Sequence, residues 1–192
     1  MKKMKLIFTL SYIFTNPSIA TPIKNANLSP QSLTLRNSIA LIGSDGGAEF
    51  SNAFPKDKKE FIEICDSPKF DQLYDCSKVI DVGVKKVLKK SPSLLSFKIA
   101  NLAAEVEFGA DAPNYLQRVW AEFCQENPKE FASSVLKLEY GKQISALQYL
   151  TKGIEKESNA KLDKCIMSLT SVKLDKVADI AKSARLKKTT DH

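Results

Sequence analysis

Residues 91–158 read SPSLLSFKIANLAAEVEFGADAPNYLQRVWAEFCQENPKEFASSVLKLEYGKQISALQYLTKGIEKES, and this stretch decides the predicted fold. Apolar residues recur every three or four positions, the spacing that places them on one face of an α-helix. The stretch therefore predicts four consecutive amphipathic helices. Their predicted inner faces are Leu95, Ile99, Leu102 and Val106; Leu116, Val119, Trp120 and Phe123; Phe131, Val135 and Leu138; and Ile144, Leu147, Leu150 and Ile154.

The helices of this stretch begin at residues typical of helix N-termini. Ser91-Pro92 and Asn127-Pro128 each combine a side chain that can cap the first amides with a proline that fits the first turn. Glu130 supplies the carboxylate that would complete a capping box after Asn127. Asp111 starts the second helix, and Gly141 is predicted to separate the third from the fourth. Such short connections favour antiparallel neighbours, so we expect two helical hairpins.

The predicted fold class is all-α, either an irregular helical bundle or a short, solenoid-like stack of helical hairpins. Ser67-Pro68 is a third start of the same kind and favours a repeat, whereas the unequal spacing between the three starts favours a bundle. Asp57 to Glu60 predicts another capped helix, and Gly83 is a candidate for a bend in the helix after it. Further inner-face residues are Leu73, Ile80, Val84 and Val87, then Leu162, Ile166 and Leu169, and finally Val177, Ile180, Ala181 and Ala184.

Residues 1–20 have the pattern of a secretory signal peptide. Lysines at positions 2, 3 and 5 precede a nine-residue apolar run from Leu6 to Phe14, and Ser18-Ile19-Ala20 is a small-x-small cleavage signature. The run is too short to cross a bilayer. The predicted localisation is therefore export, to a bacterial periplasm or the extracellular space.

The remaining chain is predicted to form one helical domain over residues 56–188. Residues 21–55 are predicted to be an N-terminal arm with one short element and a glycine-rich loop, and residues 189–192 a C-terminal tail. The short element at 33–42 reads equally as helix or strand, because periodicity over so few residues does not distinguish them. The loop, Gly43 to Gly47, is interpreted as a turn rather than a phosphate-binding loop, since no Lys-Ser/Thr pair follows it.

The charge of the mature chain is only modestly positive. The whole chain carries +7, and three of its 29 basic residues lie before residue 21, so 26 basic and 22 acidic residues leave +4. This excess does not call for a nucleic-acid partner. The segment Lys182 to Lys188 is basic. One interpretation is that it contacts a membrane surface, but a solvated terminus is the favoured interpretation.

Four cysteines in an exported chain predict two disulfides. Of the three connectivities, we favour Cys65–Cys76 and Cys124–Cys165. On one continuous helix Cys65 and Cys76 would lie about 16 Å apart, too far for a bond, but the break at Asp66-Ser67-Pro68 folds the chain between them. No metal site is predicted, because the chain has no CxxC motif and its single histidine is His192.

The sequence predicts no catalytic nucleophile together with the base that would activate it. A Ser–His or Cys–His pair needs an imidazole beside the nucleophile, and His192 is the last residue. Ser134 and Lys137 match the S-x-x-K pattern, but the companion KTG-like strand is missing. The alternative is a peptidoglycan hydrolase with a carboxylate pair, for which Glu105 and Glu122 are the candidates, with neighbouring aromatic side chains stacking on sugar.

These observations predict an exported, non-enzymatic helical protein that acts by binding another protein. No cofactor is predicted. An inhibitor or immunity-type protein, or an accessory protein of the envelope, would fit this description by analogy. The alternatives from other classes are the peptidoglycan hydrolase and a structural protein associated with a membrane surface.

Overall fold

A computed structural model describes residues 30–65, 79–106, 111–151 and 155–188. Across these ranges the regular secondary structure is entirely helical, with no strand, which confirms the predicted all-α class. The helices are α1 (Pro30–Asp45), α2 (Ala48–Ala53), α3 (Lys58–Cys65), α4 (Lys85–Lys90), α5 (Ser96–Glu105), α6 (Asp111–Glu126), α7 (Pro128–Leu136), α8 (Tyr140–Gln148), α9 (Glu155–Ser171) and α10 (Asp175–Lys188). A π-helical turn, Val79–Val84, leads into α4, and 3-10 turns span Pro92–Leu94 and Tyr149–Thr151.

The apolar spacing correctly predicted the core. Every predicted inner-face residue that the structure describes is buried except Ile166, which is half-buried. Leu73 and Ile154 lie outside the described residues. At 25 cal/mol per Å² of apolar surface, each of these large side chains contributes about 1.5–3 kcal/mol to folding.

The helices pack as a bundle. Helix α5 packs most extensively against α8, although two helices separate them in sequence, and α10 packs against both α8 and α9. A solenoid would pair each hairpin mainly with the next one. Of the two predicted architectures, the packing of the described helices therefore fits the irregular bundle.

Trp120 lies at the centre of this bundle. Its ring is fully buried, 4.2 Å from the Phe131 ring centroid, and its indole N–H donates to the Ala146 carbonyl oxygen at 3.0 Å. One turn earlier, the Gln117 amide donates to the Tyr149 carbonyl oxygen at 2.6 Å. These two bonds pair the buried indole and amide donors that α6 directs at α8 and at the 3-10 turn after it.

The disulfide predicted between Cys124 and Cys165 is present. It joins α6 to α9 with the Cα atoms 5.4 Å apart, and both cysteines are fully buried. The other predicted disulfide, Cys65–Cys76, stays a prediction because Cys76 lies outside the described residues. The signal peptide, residues 1–20, and the start at Ser67-Pro68 also lie outside them.

The segment that read as helix or strand is helix α1, which begins at Pro30, inside the predicted arm. Leu35 and Ile42 of α1 and Phe50 of α2 belong to the same buried cluster as the later helices. The predicted domain boundary at residue 55 stays a prediction.

The glycine-rich loop after α1 is a turn whose amides bind a carboxylate of the chain itself. Asp45 accepts hydrogen bonds from the amides of Gly47 and Glu49 at 2.7 and 3.0 Å. Gly46 and Gly47 have φ of 71° and 93°, which glycine adopts without the strain of a Cβ. A Cβ on Gly47 would also lie 2.5 Å from a Val87 methyl group. Gly46 and Gly47 thus form a turn between α1 and α2, whereas the first three residues of the predicted loop belong to α1.

Two lysines cap the helices on either side of this loop. The Lys90 ammonium donates to the carbonyl oxygens of Ile42 and Gly43 near the end of α1. The Lys98 ammonium donates to three carbonyl oxygens at the end of α2, those of Ser51, Asn52 and Phe54. Burial lowers the pKa of Lys98. Both lysines therefore have a structural task, because carbonyls at a helix end have no partner within the helix.

Three predicted helix-start details differ from the structure. Neither Ser91 nor Asn127 makes a side-chain capping bond, although Pro92 and Pro128 do occupy first-turn positions. Gly141 does not separate two helices: it is the second residue of α8, and the break lies at residues 137–139. By contrast, Asp57 caps α3 as predicted, because its carboxylate accepts from the Glu60 amide at 2.9 Å.

Among the described residues, the helices are too short or too polar to traverse a lipid bilayer.

Candidate functional site

The most distinctive surface of the molecule is a charge ladder between two parallel segments. The Arg118 guanidinium of α6 lies 2.8 Å from the Asp81 carboxylate of the π-helical turn. Four residues later on both segments, the Lys85 ammonium lies 2.9 Å from the Glu122 carboxylate. Since both partners advance by one turn in the same direction, the segment from the π-helical turn through α4 runs parallel to α6.

A third pair of opposite charges continues the same spacing. It is open, because its two side chains form no ion pair among the described residues. Lys89 follows Lys85 by four residues, and Glu126 follows Glu122 by four. Both side chains are exposed, and neither makes an ion pair or a hydrogen bond with another described residue. The space around this third pair is a groove of about 460 Å³. We call it the α4/α6 groove; its lining residues are Lys85, Leu88, Lys89, Val119, Glu122, Phe123, Glu126 and Asn127.

The sequence of α4 explains why Lys85 and Lys89 lie on the outer side of the helix, where they line the groove. Val84, Val87 and Leu88 are buried against the core, so the intervening lysines are left on the outer side. The π-helical turn before α4 fits closely against α2, because a Cβ on Gly83 would overlap the Phe50 ring. The residue type at position 83 thus sets how closely this segment approaches the core.

Most of the floor and the far wall of the groove come from α6 and from Asn127, which follows it. Val119 and Phe123 are buried, and together with Leu88 they form an apolar floor. Cys124 follows Phe123 directly, and its disulfide fastens the last turn of α6 to α9. Glu126 and Asn127 come two and three residues later. The far wall therefore lies next to a covalent crosslink, which restricts its movement.

The two closed pairs are electrostatically coupled. Burial raises the pKa of Asp81, but hydrogen bonds from Lys85 and Arg118 outweigh it and lower that pKa overall. The hydrogen bond to Glu122 is the main cause that raises the pKa of Lys85. Arg118 also lies over the Tyr115 ring, 4.9 Å from its centroid. These shifts favour the charged forms of Asp81 and Lys85.

Glu105, the first candidate for acid–base chemistry, is bound on both oxygens. It accepts from the Lys142 ammonium at 2.6 Å and from the Lys58 amide at 3.2 Å. Burial raises its pKa, but these hydrogen bonds lower the pKa overall. A general acid at neutral pH needs the opposite shift. The position of Glu105 is that of a link between α3, α5 and α8.

Glu122, the second candidate, belongs to the ladder on α6, paired with Lys85. Each of the two carboxylates therefore has its own lysine on a different helix. Of the two aromatic side chains proposed to stack on sugar, Trp120 is fully buried, and Tyr115 is half-buried with the Arg118 guanidinium over its ring. Ser134 of the S-x-x-K match is buried as well and donates to the Phe131 carbonyl oxygen at 2.7 Å. Glu105, Glu122 and Ser134 thus each make a hydrogen bond or an ion pair within the chain.

Sequence analysis missed the groove, although it contained a usable signal. Lys89 belongs to a lysine-rich run at residues 85–90 that predicts a solvated face, Glu126 has no predicted role, and Asn127 is predicted only to cap a helix. The structure places all three around one groove. The signal was the matched four-residue spacing of charge at 81, 85 and 89 and at 118, 122 and 126, with opposite signs at each step.

The arrangement can hold a ligand by charge and apolar contact. Its two walls carry opposite charges, its floor is apolar, and its far wall is crosslinked to the core. In the described ranges, no cluster of three His, Cys, Asp or Glu side chains could hold a metal ion. Comparisons of the chain with protein-family models, with curated proteins and with solved structures found no match.

Proposed function

We propose that this protein is an exported, non-enzymatic helical protein that binds another protein through the α4/α6 groove. The observation that carries the proposal is the open third pair: Lys89 and Glu126 line the same groove, and neither has an ion-pair or hydrogen-bond partner among the described residues. The signal-peptide pattern and the disulfide support export, because disulfides persist in oxidising compartments. An inhibitor, an immunity-type protein or an envelope accessory protein would act in this way.

The rigidity of the groove supports a binding role. Its floor belongs to the packed core, and its far wall is next to the Cys124–Cys165 bond. A surface that is ordered before binding loses little conformational entropy when the partner arrives, so more of the contact energy appears as affinity. Mixed charges at the edge add specificity and speed encounter more than they add affinity.

The charge distribution favours a protein partner over a polyanion. Nucleic acid or an anionic lipid surface would meet Lys85 and Lys89 favourably but would be repelled by Glu122 and Glu126 on the facing wall. A protein surface presents both signs within a few ångströms. The groove therefore suits a polypeptide better than a uniformly charged polymer.

Affinity capture from an envelope extract tests the proposal. The bait is the mature chain, compared with Lys89→Glu and with a matched control, Lys86→Glu, which makes the same charge change on α4 outside the groove lining. We expect the native bait and the control to enrich the same protein, and Lys89→Glu to lose it. Enrichment that is equal for all three baits, or absent for the native bait, would contradict binding through this groove.

A further inference from the structure

We infer that the partner inserts a polypeptide segment carrying one acidic and one basic side chain with an apolar residue between them. Its acidic group would pair with Lys89, its basic group with Glu126, and its apolar residue would pack on the floor. This inference rests on the proposed function and specifies the chemistry of the partner at the same site.

Two of the three charge pairs in the ladder already form ion pairs. Ion pairs join Asp81 to Arg118 and Lys85 to Glu122 across the two segments. A charged group of the partner would have to displace one of these residues to bind there. Lys89 and Glu126 have no such partner among the described residues. Charge recognition is therefore concentrated at the third pair, where one anion and one cation are required.

The α4/α6 groove is concave and has an apolar floor. Leu88, Val119 and Phe123 lie beneath the charges, so the part of the occupant between its two charged groups contacts apolar surface. The site is concave, and a second copy of the same concave site would not fill it. A projecting segment of a different protein would.

Short peptides provide a defined probe. The test peptide is acetylated and amidated Leu-Glu-Leu-Lys-Leu, so that only its side chains carry charge; the comparison peptides contain two glutamates or two lysines instead. Titration of the isotope-labelled full mature chain, followed by amide chemical shifts, gives the site and the dissociation constant. For so short a peptide we expect a dissociation constant on the order of 1 mM, with shifts concentrated at residues 85–89 and 122–127.

Charge-reversal variants provide a specificity switch. In Lys89→Glu the third pair becomes doubly acidic, so we expect the mixed peptide to bind about fivefold more weakly and the two-lysine peptide to become preferred. In Glu126→Lys the two-glutamate peptide should become preferred. The double variant Lys89→Glu with Glu126→Lys restores one charge of each sign and should again prefer the mixed peptide. Glu63→Lys, on exposed α3 surface, is the control and should change nothing.

The outcomes separate this inference from the proposed function. If the peptides bind without the predicted change of preference, or cause no shifts at the groove by about 5 mM, five times the expected constant, the inference is wrong. If the capture experiment still depends on Lys89 in that case, the protein binds a partner there by other chemistry. If neither experiment depends on Lys89, both proposals fail. If the peptides show the predicted change of preference and the capture is lost only with Lys89→Glu, both proposals are supported.

Discussion

Removal of the Cys124–Cys165 bond is the perturbation whose effect can be worked out most directly. The bond closes a loop between residues 41 positions apart, and the loop-closure relation gives about 4 kcal/mol of stabilisation at 25 °C for that length. The free energy of unfolding of the double variant, Cys124→Ala with Cys165→Ala, should therefore be about 4 kcal/mol lower than that of the native protein. Alanine is preferred to serine, because a hydroxyl group at these fully buried positions would have to find a hydrogen-bond partner.

Urea unfolding followed by tryptophan fluorescence measures this loss. The chain contains a single tryptophan, Trp120, buried one turn before Cys124, so the signal reports on the helix that the bond anchors. The melting temperature should fall by roughly 8–16 °C for a chain of this length. Cys65 and Cys76 stay unchanged in the variant, so only one crosslink differs. A loss of less than about 1 kcal/mol, with an unchanged urea slope, would refute the reasoning from loop closure.

Four further predictions concern single substitutions. Gly83→Ala should lower the free energy of unfolding by roughly 1–3 kcal/mol, because the new Cβ overlaps the Phe50 ring; urea unfolding measures this loss. At Gly141 a Cβ meets nothing within 4 Å, so Gly141→Ala should instead raise the free energy of unfolding by up to about 1 kcal/mol. Lys98→Met should cost roughly 1.5–3 kcal/mol, because carbonyl oxygens at the end of α2 lose their donor, and an unchanged melting temperature would contradict this. Burial raises the pKa of Glu105 but its hydrogen bonds lower it overall, so its contribution to stability is present above its ordinary pKa of 4.5 and is lost as the pH falls through the folded-state value. Glu105→Gln should flatten that part of the acid unfolding profile.

The helical fold was predictable because apolar spacing reports directly on burial. Leu95, Ile99 and Leu102 recur at helical spacing, and all are fully buried. The spacing does not show which helix packs on which. Helix α5 lies against α8 rather than only against its neighbours, and that choice depends on residues that are distant in sequence, such as Lys142 of α8 with Asn101 and Glu105 of α5.

The capping predictions succeeded or failed according to whether a side chain had a competing location. Asp57 caps α3, as its position before Lys58 and Glu60 indicates. Asn127 precedes Pro128 in the same manner but lines the α4/α6 groove and makes no capping bond. Local sequence rules describe the options of a residue, and tertiary packing selects among them.

The groove itself was not predictable from one segment alone. Each of the two helices has an unremarkable four-residue charge spacing, which usually means a solvated face. Only the parallel alignment of Asp81 with Arg118 and of Lys85 with Glu122 turns the spacing into a ladder with an open third pair. That alignment depends on close packing of the π-helical turn at Gly83, a contact between residues far apart in sequence.

Site-specific photo-crosslinking tests binding through the groove most directly. A benzophenone amino acid in place of Asn127, which lines the groove, is compared with the same group in place of Ser183, exposed on α10 outside it. After irradiation in an envelope extract, we predict one protein adduct from position 127, absent with Lys89→Glu and reduced by the mixed-charge peptide, and none from position 183. An adduct at 183 without one at 127, or an adduct at 127 that ignores both Lys89→Glu and the peptide, would contradict the account.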